Sequence, residues 1–302
     1  MRNPLLLTEL LREGRNIRLA LMVIFYDAII AFVSIAFLFI NAESLSGGYY
    51  YSPATYRTQF FMLSLIQLLF VILITPFNVW SYFSSDKENN IPDHFVVIPG
   101  FAKNYVLSKM YLIMFVNVLL WISGVPILTL FSVYSGVSWR DIIRLGLMMI
   151  LFSFWAGAVA IFSFSVSSSG IRAFALHFII VACFCFGTFM VTETLRALAV
   201  AGQNSQIPAG QLSFLFLMIL AFNPVTSGMG YYVNITGDNG IANALCNHLG
   251  INNSSTLFIF SFYKVAALAL ILAGIILLTV AVRRNDIHGR QQKNPDYSLI
   301  PE

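Results

Sequence analysis

Charge is the first thing this chain lacks. Only 10% of its 302 residues are Asp, Glu, Lys or Arg, against roughly 25% in soluble domains. With 58% of the residues hydrophobic, the composition excludes a soluble globular domain. Cysteine is scarce too. Cys183 and Cys185 stand two apart and would face nearly opposite ways on a helix, while Cys246 is alone in a polar loop. Neither a disulfide framework nor a zinc spacing follows. His94, His177, His248 and His288 are scattered, with no His-x-x-x-His pair. No Gly-x-x-x-x-Gly-Lys-Ser/Thr loop exists, so the chain has no Walker motif with which to bind ATP. No catalytic, cofactor-binding or metal-ligating residue is assignable, and the chain is not expected to be an enzyme by itself. The basic residues form no stripe interleaved with exposed aromatics, which argues against nucleic acid as a partner.

What is present is apolar length. Runs of about 20 residues can cross a bilayer as helices. They occur at Ile17–Ile40, Gln59–Tyr82, Tyr105–Val133, Ile142–Val166, Ala173–Thr192 and Leu257–Val282. The fold class expected is therefore an all-α polytopic membrane protein with six transmembrane helices. With both termini cytoplasmic, twelve of the seventeen Lys and Arg residues fall inside; only Arg57, Arg140, Arg144, Arg196 and Lys264 lie outside. That bias is what the positive-inside rule expects. The lipid bilayer is thus the first partner and the cell membrane the expected location. The run Leu212–Phe222 is too short to span, and counting it would place Arg283 and Arg284 outside. It reads instead as part of a re-entrant outer hairpin, Leu212–Tyr232, between spans five and six.

Between spans two and three lies a polar island. Asp86, Lys87 and Glu88 are followed by Asn90, a good N-cap, by Pro92 at a first-turn position and by Asp93 at the positive helix end. Pro99-Gly100 stops the helix after barely two turns. A helix of that length, Ile91–Ile98, is marginal alone and needs a surface to pack on. Upstream, Pro4–Gly14 is amphipathic, with Leu5, Leu6 and Leu10 on one face. It reads as a helix lying in the interface plane. The whole chain is expected to be one transmembrane domain: 1–16 interfacial, 17–282 the six-span bundle, and 283–302 a charged, mobile cytoplasmic tail.

Asp27 sits mid-way along the first span, where a carboxylate costs about 2.5–3.5 kcal/mol on insertion scales. Two readings stand: an intramembrane functional group, or a packing residue hydrogen-bonded to a neighbouring hydroxyl. Pro126 predicts a kink in the third span. Ser135-Gly136-Val137-Ser138 predicts a short outer turn, and Ser163–Ser169 a seam of close helix packing.

The stretch Thr75–Lys109 resembles the membrane subunit, or permease, of ABC-2 type ABC transporters. In that family an acidic-basic-acidic triplet precedes a short helix, a proline, a basic residue and a lysine opening the third span. Asp86-Lys87-Glu88, Pro99, Lys103 and Lys109 take those places. Asp86 stands where the family has Glu, and Ile91 where Thr is usual. Weaker echoes are Asn3-Pro4, Gly136-Val137-Ser138 and Asn223-Pro224-Val225. The resemblance implies an exporter in which Pro4–Gly14 is an elbow helix and the 86–104 stretch a coupling helix. Asp86, Lys87, Glu88, Asp93, His94, Pro99 and Lys103 would then contact a partner. It also implies two cytoplasmic ABC ATPase subunits, which would bind the ATP and Mg, and a second permease copy or paralogue. The rival readings are a polytopic membrane enzyme working at the headgroup level and a proton-coupled secondary transporter using Asp27.

Overall fold

The computed structural model describes the backbone of residues 4–46, 53–88, 101–167, 169–201, 215–216, 218–236 and 256–293. In chain order the helices are α1 (Pro4–Gly14), α2 (Ile17–Ser46), α3 (Pro53–Glu88), α4 (Phe101–Ser135), α5 (Trp139–Val166), α6 (Gly170–Ala182), α7 (Thr188–Ala201), α8 (Pro224–Thr236) and α9 (Thr256–Lys293). A single π-helical turn, Cys183–Gly187, joins α6 to α7, so those helices make one span. Six stretches are long and apolar enough to cross a membrane: Ile17–Ile40, Thr55–Ser84, Ala102–Ser135, Trp139–Val166, Gly170–Leu198 and Lys264–Asn285. The molecule is an all-α bundle of six membrane-spanning helices.

α5 is its axis. In its most apolar stretch 72% of residues are buried, against 6% in the α6–α7 span. The sequence accounts for this through small residues. Gly157 lies among Ala156, Ala158 and Ala160, all fully buried, and lets α3, α4 and α9 approach closely. At Gly146 an added Cβ would come within 2.6 Å of the Trp121 ring, so only glycine admits that indole. Two apolar clusters stack along α5. One gathers Phe60, Leu63, Phe131, Leu145, Phe152 and Trp155; the other gathers Val79, Tyr82, Tyr105, Ile113, Ile161 and Ala281, with Leu10 of α1 packed on it. A third, smaller cluster fixes α2 to α4 through Tyr26, Ile30, Val116 and Leu120.

The expected turn after Ser135 is present and its cause is visible. Gly136 has φ +70°, and the Val137 N–H donates to the Ser132 carbonyl at 3.2 Å, which satisfies a C-terminal carbonyl of α4 with the glycine in the left-handed region. Arg57 Nε donates to the Ser135 carbonyl at 3.0 Å, closing the same helix end from α3. On the other side of the turn, Ser138 donates to Asp141 Oδ2 at 2.7 Å. The Tyr231 hydroxyl of α8 donates to the Asp141 carbonyl. The small hydroxyl seam at the end of α5 faces inward at Ser163 and Ser165, with Ser163 fully buried and donating to the Val159 carbonyl, while Ser169 is exposed.

Several sequence expectations are modified. α2 continues to Ser46 and α3 begins at Pro53, so helix replaces much of the first connecting loop. The tail does not become irregular at Val282: α9 continues to Lys293. Its Arg, Gln and Lys residues are good helix formers, and no proline intervenes before Pro295. Pro126 lies inside α4 without ending it. So does Pro76 in α3. The hairpin expected at Leu212–Tyr232 is partly described: residues 218–221 are helical, the chain turns at Phe222 and Asn223, and α8 begins at Pro224. The short helix expected at Ile91–Ile98 lies outside the described residues.

Candidate functional site

Two polar constellations break the apolar bundle. The first lies at the end of the bundle where α1 rests. α1 is amphipathic. Leu10 turns into the core while Leu7 and Leu11 are exposed, and Glu9 and Glu13 are carried inward. Glu9 accepts from Lys109 Nζ at 2.7 Å, with the lysine side chain fully buried and Glu9 12% exposed. Lys109 comes from the first third of α4. A buried ammonium is tolerable only when paired, and this one is also boxed by aromatic faces. Its Nζ lies 5.3 Å from the Tyr105 ring centroid and 5.8 Å from that of Tyr82, within reach of a cation–π attraction. Beside it, Glu13 is buried at 7% exposure, and its carboxylate acts on the Tyr82 hydroxyl. Arg18, in the first turn of α2, donates to Ser81 Oγ of α3 at 2.7 Å. Helices α1, α2, α3 and α4 are thereby tied together at one end by polar side chains.

Asp86, Lys87 and Glu88 form the last residues of α3, and Lys103 sits exposed in the first turn of α4. These four therefore flank the same end of the bundle as the Glu9–Lys109 pair. Asp93, His94 and Pro99 lie outside the described residues. Both α1 and the Leu278–Ala281 segment of α9 pack into the cluster at this end.

The second constellation runs along the middle of α2, α3 and α4. Ser123 Oγ lies 2.8 Å from Asp27 Oδ1 and 2.8 Å from the Leu120 carbonyl oxygen. Next to it in α4, Gly124 makes room. A Cβ there would come within 2.5 Å of Gln67 Nε2 and 2.9 Å of the Tyr26 hydroxyl. Gln67 is 1% exposed, and neither end of its amide has a partner among the described residues. Two turns along, Asn117 Nδ2 donates to Thr75 Oγ1 at 3.1 Å, and Thr75 donates to the Val71 carbonyl at 2.6 Å. Pro76 deprives the Ile72 carbonyl of its intrahelical donor. The fully buried His177 of α6 comes up against that carbonyl, short of full hydrogen-bond geometry. This seam can hydrogen-bond a polar or hydrated group inside the membrane, where unsatisfied amides are costly.

A third polar contact holds the irregular span in place. The fully buried Asn223 donates from Nδ2 to the Cys185 carbonyl at 2.9 Å and to Thr188 Oγ1 at 2.8 Å. The π-turn changes the hydrogen-bonding register there, and Asn223 serves the carbonyl it exposes. Among the described residues no group of three or more His, Cys, Asp or Glu could hold a metal ion.

Of these residues, sequence reasoning singled out Asp27 and named Lys109 as the lysine opening the third span. It missed Glu9 as its partner, one hundred residues away, and missed Gln67, Asn117 and the role of Asn223. The only signal for Glu9 was its place on an amphipathic helix. The architecture is that of a multi-pass helical membrane protein, consistent with a transport-related role. No family model, no curated protein and no solved structure matches the chain.

Proposed function

We propose that this chain is the membrane-spanning permease subunit of an ABC-2 type transporter, acting as an exporter. Two copies, or one copy and a paralogue, would form the pathway, and separate cytoplasmic ATPase subunits would supply the energy. In this reading both termini and the α1 end of the bundle face the cytoplasm, α1 is the elbow helix, and 86–104 is the coupling stretch. The observation that carries it is the Glu9–Lys109 pair. It joins the interfacial helix to α4, and the 86–104 stretch connects α4 to α3. A push on that connection would therefore reach α1, α3 and α4 together. The motif positions agree with this use: Asp86, Lys87 and Glu88 end one helix and Lys103 opens the next.

The test is purification of the full chain from its native membrane in mild detergent. A Walker-motif ATPase should remain bound and hydrolyse Mg-ATP. Each surface charge is worth at most about 1 kcal/mol, so single changes should be modest. The combined Glu88→Lys and Asp93→Lys reversal sets like charge against a basic groove and should be far worse. That variant should insert normally yet lose the ATPase, or keep it without substrate-stimulated hydrolysis. A reversed protein that binds its ATPase and transports like the parent would make the stretch a connecting loop and sink the reading.

A further inference from the structure

A crevice of about 420 Å³ opens where the end of α1, the link to α2 and the end of α3 meet. Its volume lies in the range of about 300–1,000 Å³ that small-molecule sites occupy. Arg12, Asn16 and Arg18 line it from one side, Ser81, Tyr82 and Ser84 from the other, and Glu13 contributes a wall. Their burial orders the charges. Arg12 and Arg18 are exposed, whereas Glu13 and Tyr82 are 7% and 3% exposed. The mouth therefore presents two guanidiniums against one recessed carboxylate. Arg18 spends one N–H on Ser81 and keeps others of its five donors for a further acceptor. The Tyr82 hydroxyl makes no hydrogen bond of full geometry among the described residues, although Glu13 is near it.

Depth then selects the ligand. Ile17 opens the first apolar span and Ser84 closes the second, so the crevice stands at the level of the lipid headgroups. Leu11 and Ile17, on the same two helices as its arginines, are 56% and 74% exposed, as suits helices that meet acyl chains at this level. Basic pockets between helices at this level take anionic headgroups, and guanidinium groups match phosphate oxygens bidentately.

We propose that this crevice is a binding site for the phosphodiester headgroup of an anionic phospholipid, held by Arg12 and Arg18 with Ser81 and Tyr82 at its back. The site needs no ATPase partner and stands whether or not the permease reading does. A lipid seated there bridges α1, α2 and α3, so it sets the angle at which α1 leaves the bundle.

The test uses the purified full chain in neutral detergent and native mass spectrometry. One arm offers equimolar phosphatidylglycerol and phosphatidylcholine with matched acyl chains, and another offers millimolar inorganic phosphate. The parent should retain phosphatidylglycerol in preference. Arg12→Gln and Arg18→Gln should each lower that retention about tenfold, the effect of one lost charge-assisted contact. Ser84→Asp, which adds a carboxylate to the crevice without removing an arginine, should lower it too and covers the case in which an arginine variant misfolds. Arg140→Gln, an exposed arginine at the other end of α5, should leave retention unchanged. Equal retention of the two lipids, or unaltered retention in the double Arg12→Gln/Arg18→Gln protein, would overturn the site. Inorganic phosphate that binds alone and displaces the lipid would make it a free-anion site and overturn the lipid assignment.

Discussion

The two ends of the bundle are closed by different chemistry. At the Gly136 end every joint is made to a backbone carbonyl: one of α4 is capped by its own turn with Gly136 left-handed, another by the Arg57 side chain, and one of α5 by the Tyr231 hydroxyl. At the α1 end the joints are side chains, and two of them carry full charge into a buried setting. Backbone caps fix one arrangement of helices and leave little to adjust. A buried ion pair adds little net stability but is exacting about its partner, because either member left alone is strongly penalised. The α1 end is therefore where a change of charge alters most how helices meet; at the Gly136 end Arg57 caps a neutral carbonyl, and the Asp141–Arg144 pair lies within α5 with its arginine half exposed.

The largest effect should follow from breaking the pair. Lys109→Met keeps the volume and takes the buried ammonium away from the largely buried Glu9 carboxylate, at a cost of up to about 3–5 kcal/mol. Thermal unfolding in detergent should show a large drop. Glu9→Leu combined with Lys109→Met should recover most of it, since a well-packed apolar pair can equal a buried ionic one. If Lys109→Met unfolds like the parent, the Glu9–Lys109 pair does not hold α1 and the contrast between the ends collapses.

A smaller loss is expected from Gly136→Ala. The residue sits at φ +70° with open space around it, so the cost is conformational, about 1–2 kcal/mol for a side chain in the left-handed region. Unfolding temperature should fall modestly, and amide exchange should quicken at the α4–α5 turn while α1 stays as protected as before. Faster exchange in α1 would mean that the two ends are coupled.

The sequence carried one end far better than the other. Hydropathy located all six spans, because each needs a long apolar run and little else. The turn at Ser135–Ser138 was legible since a glycine between two helical stretches has few other uses. At the charged end the helix Pro4–Gly14 was legible, but not the contacts that hold it. Lys109 stands out only as the lysine opening the third span and Glu9 only as one polar residue of an amphipathic helix, and only the folded bundle brings them to 2.7 Å. The π-turn at Cys183–Gly187 leaves no periodic signature, and Asn223 stood out only as part of a weak motif echo within the expected hairpin. The extension of α9 to Lys293 was hidden for another reason: its charged residues suggest solvation, yet they favour helix.

Asp27 sharpens the comparison from the middle of the membrane. If charge matters only at the α1 end, Asp27 should act as a hydrogen-bond acceptor and nothing more. Its one described hydrogen bond is from Ser123, at 2.8 Å, and among the described residues it makes no ion pair. Asp27→Asn preserves an oxygen in place for that hydroxyl, so the change should cost less than about 1 kcal/mol, the scale of exchanging one hydrogen bond for a similar one. Even Asp27→Leu should be mild. Ser123 already lies 2.8 Å from the Leu120 carbonyl, a substitute acceptor that leaves no buried hydroxyl unsatisfied. Both variants should insert, assemble and transport at close to the parent rate. Loss of transport in correctly assembled Asp27→Asn protein would place an essential carboxylate on the substrate or ion path. Asp27, Ser123 and the Gln67 amide beside Gly124, which has no partner among the described residues, would then be parts of one intramembrane site, and the proton-coupled reading would gain over the ATP-driven one.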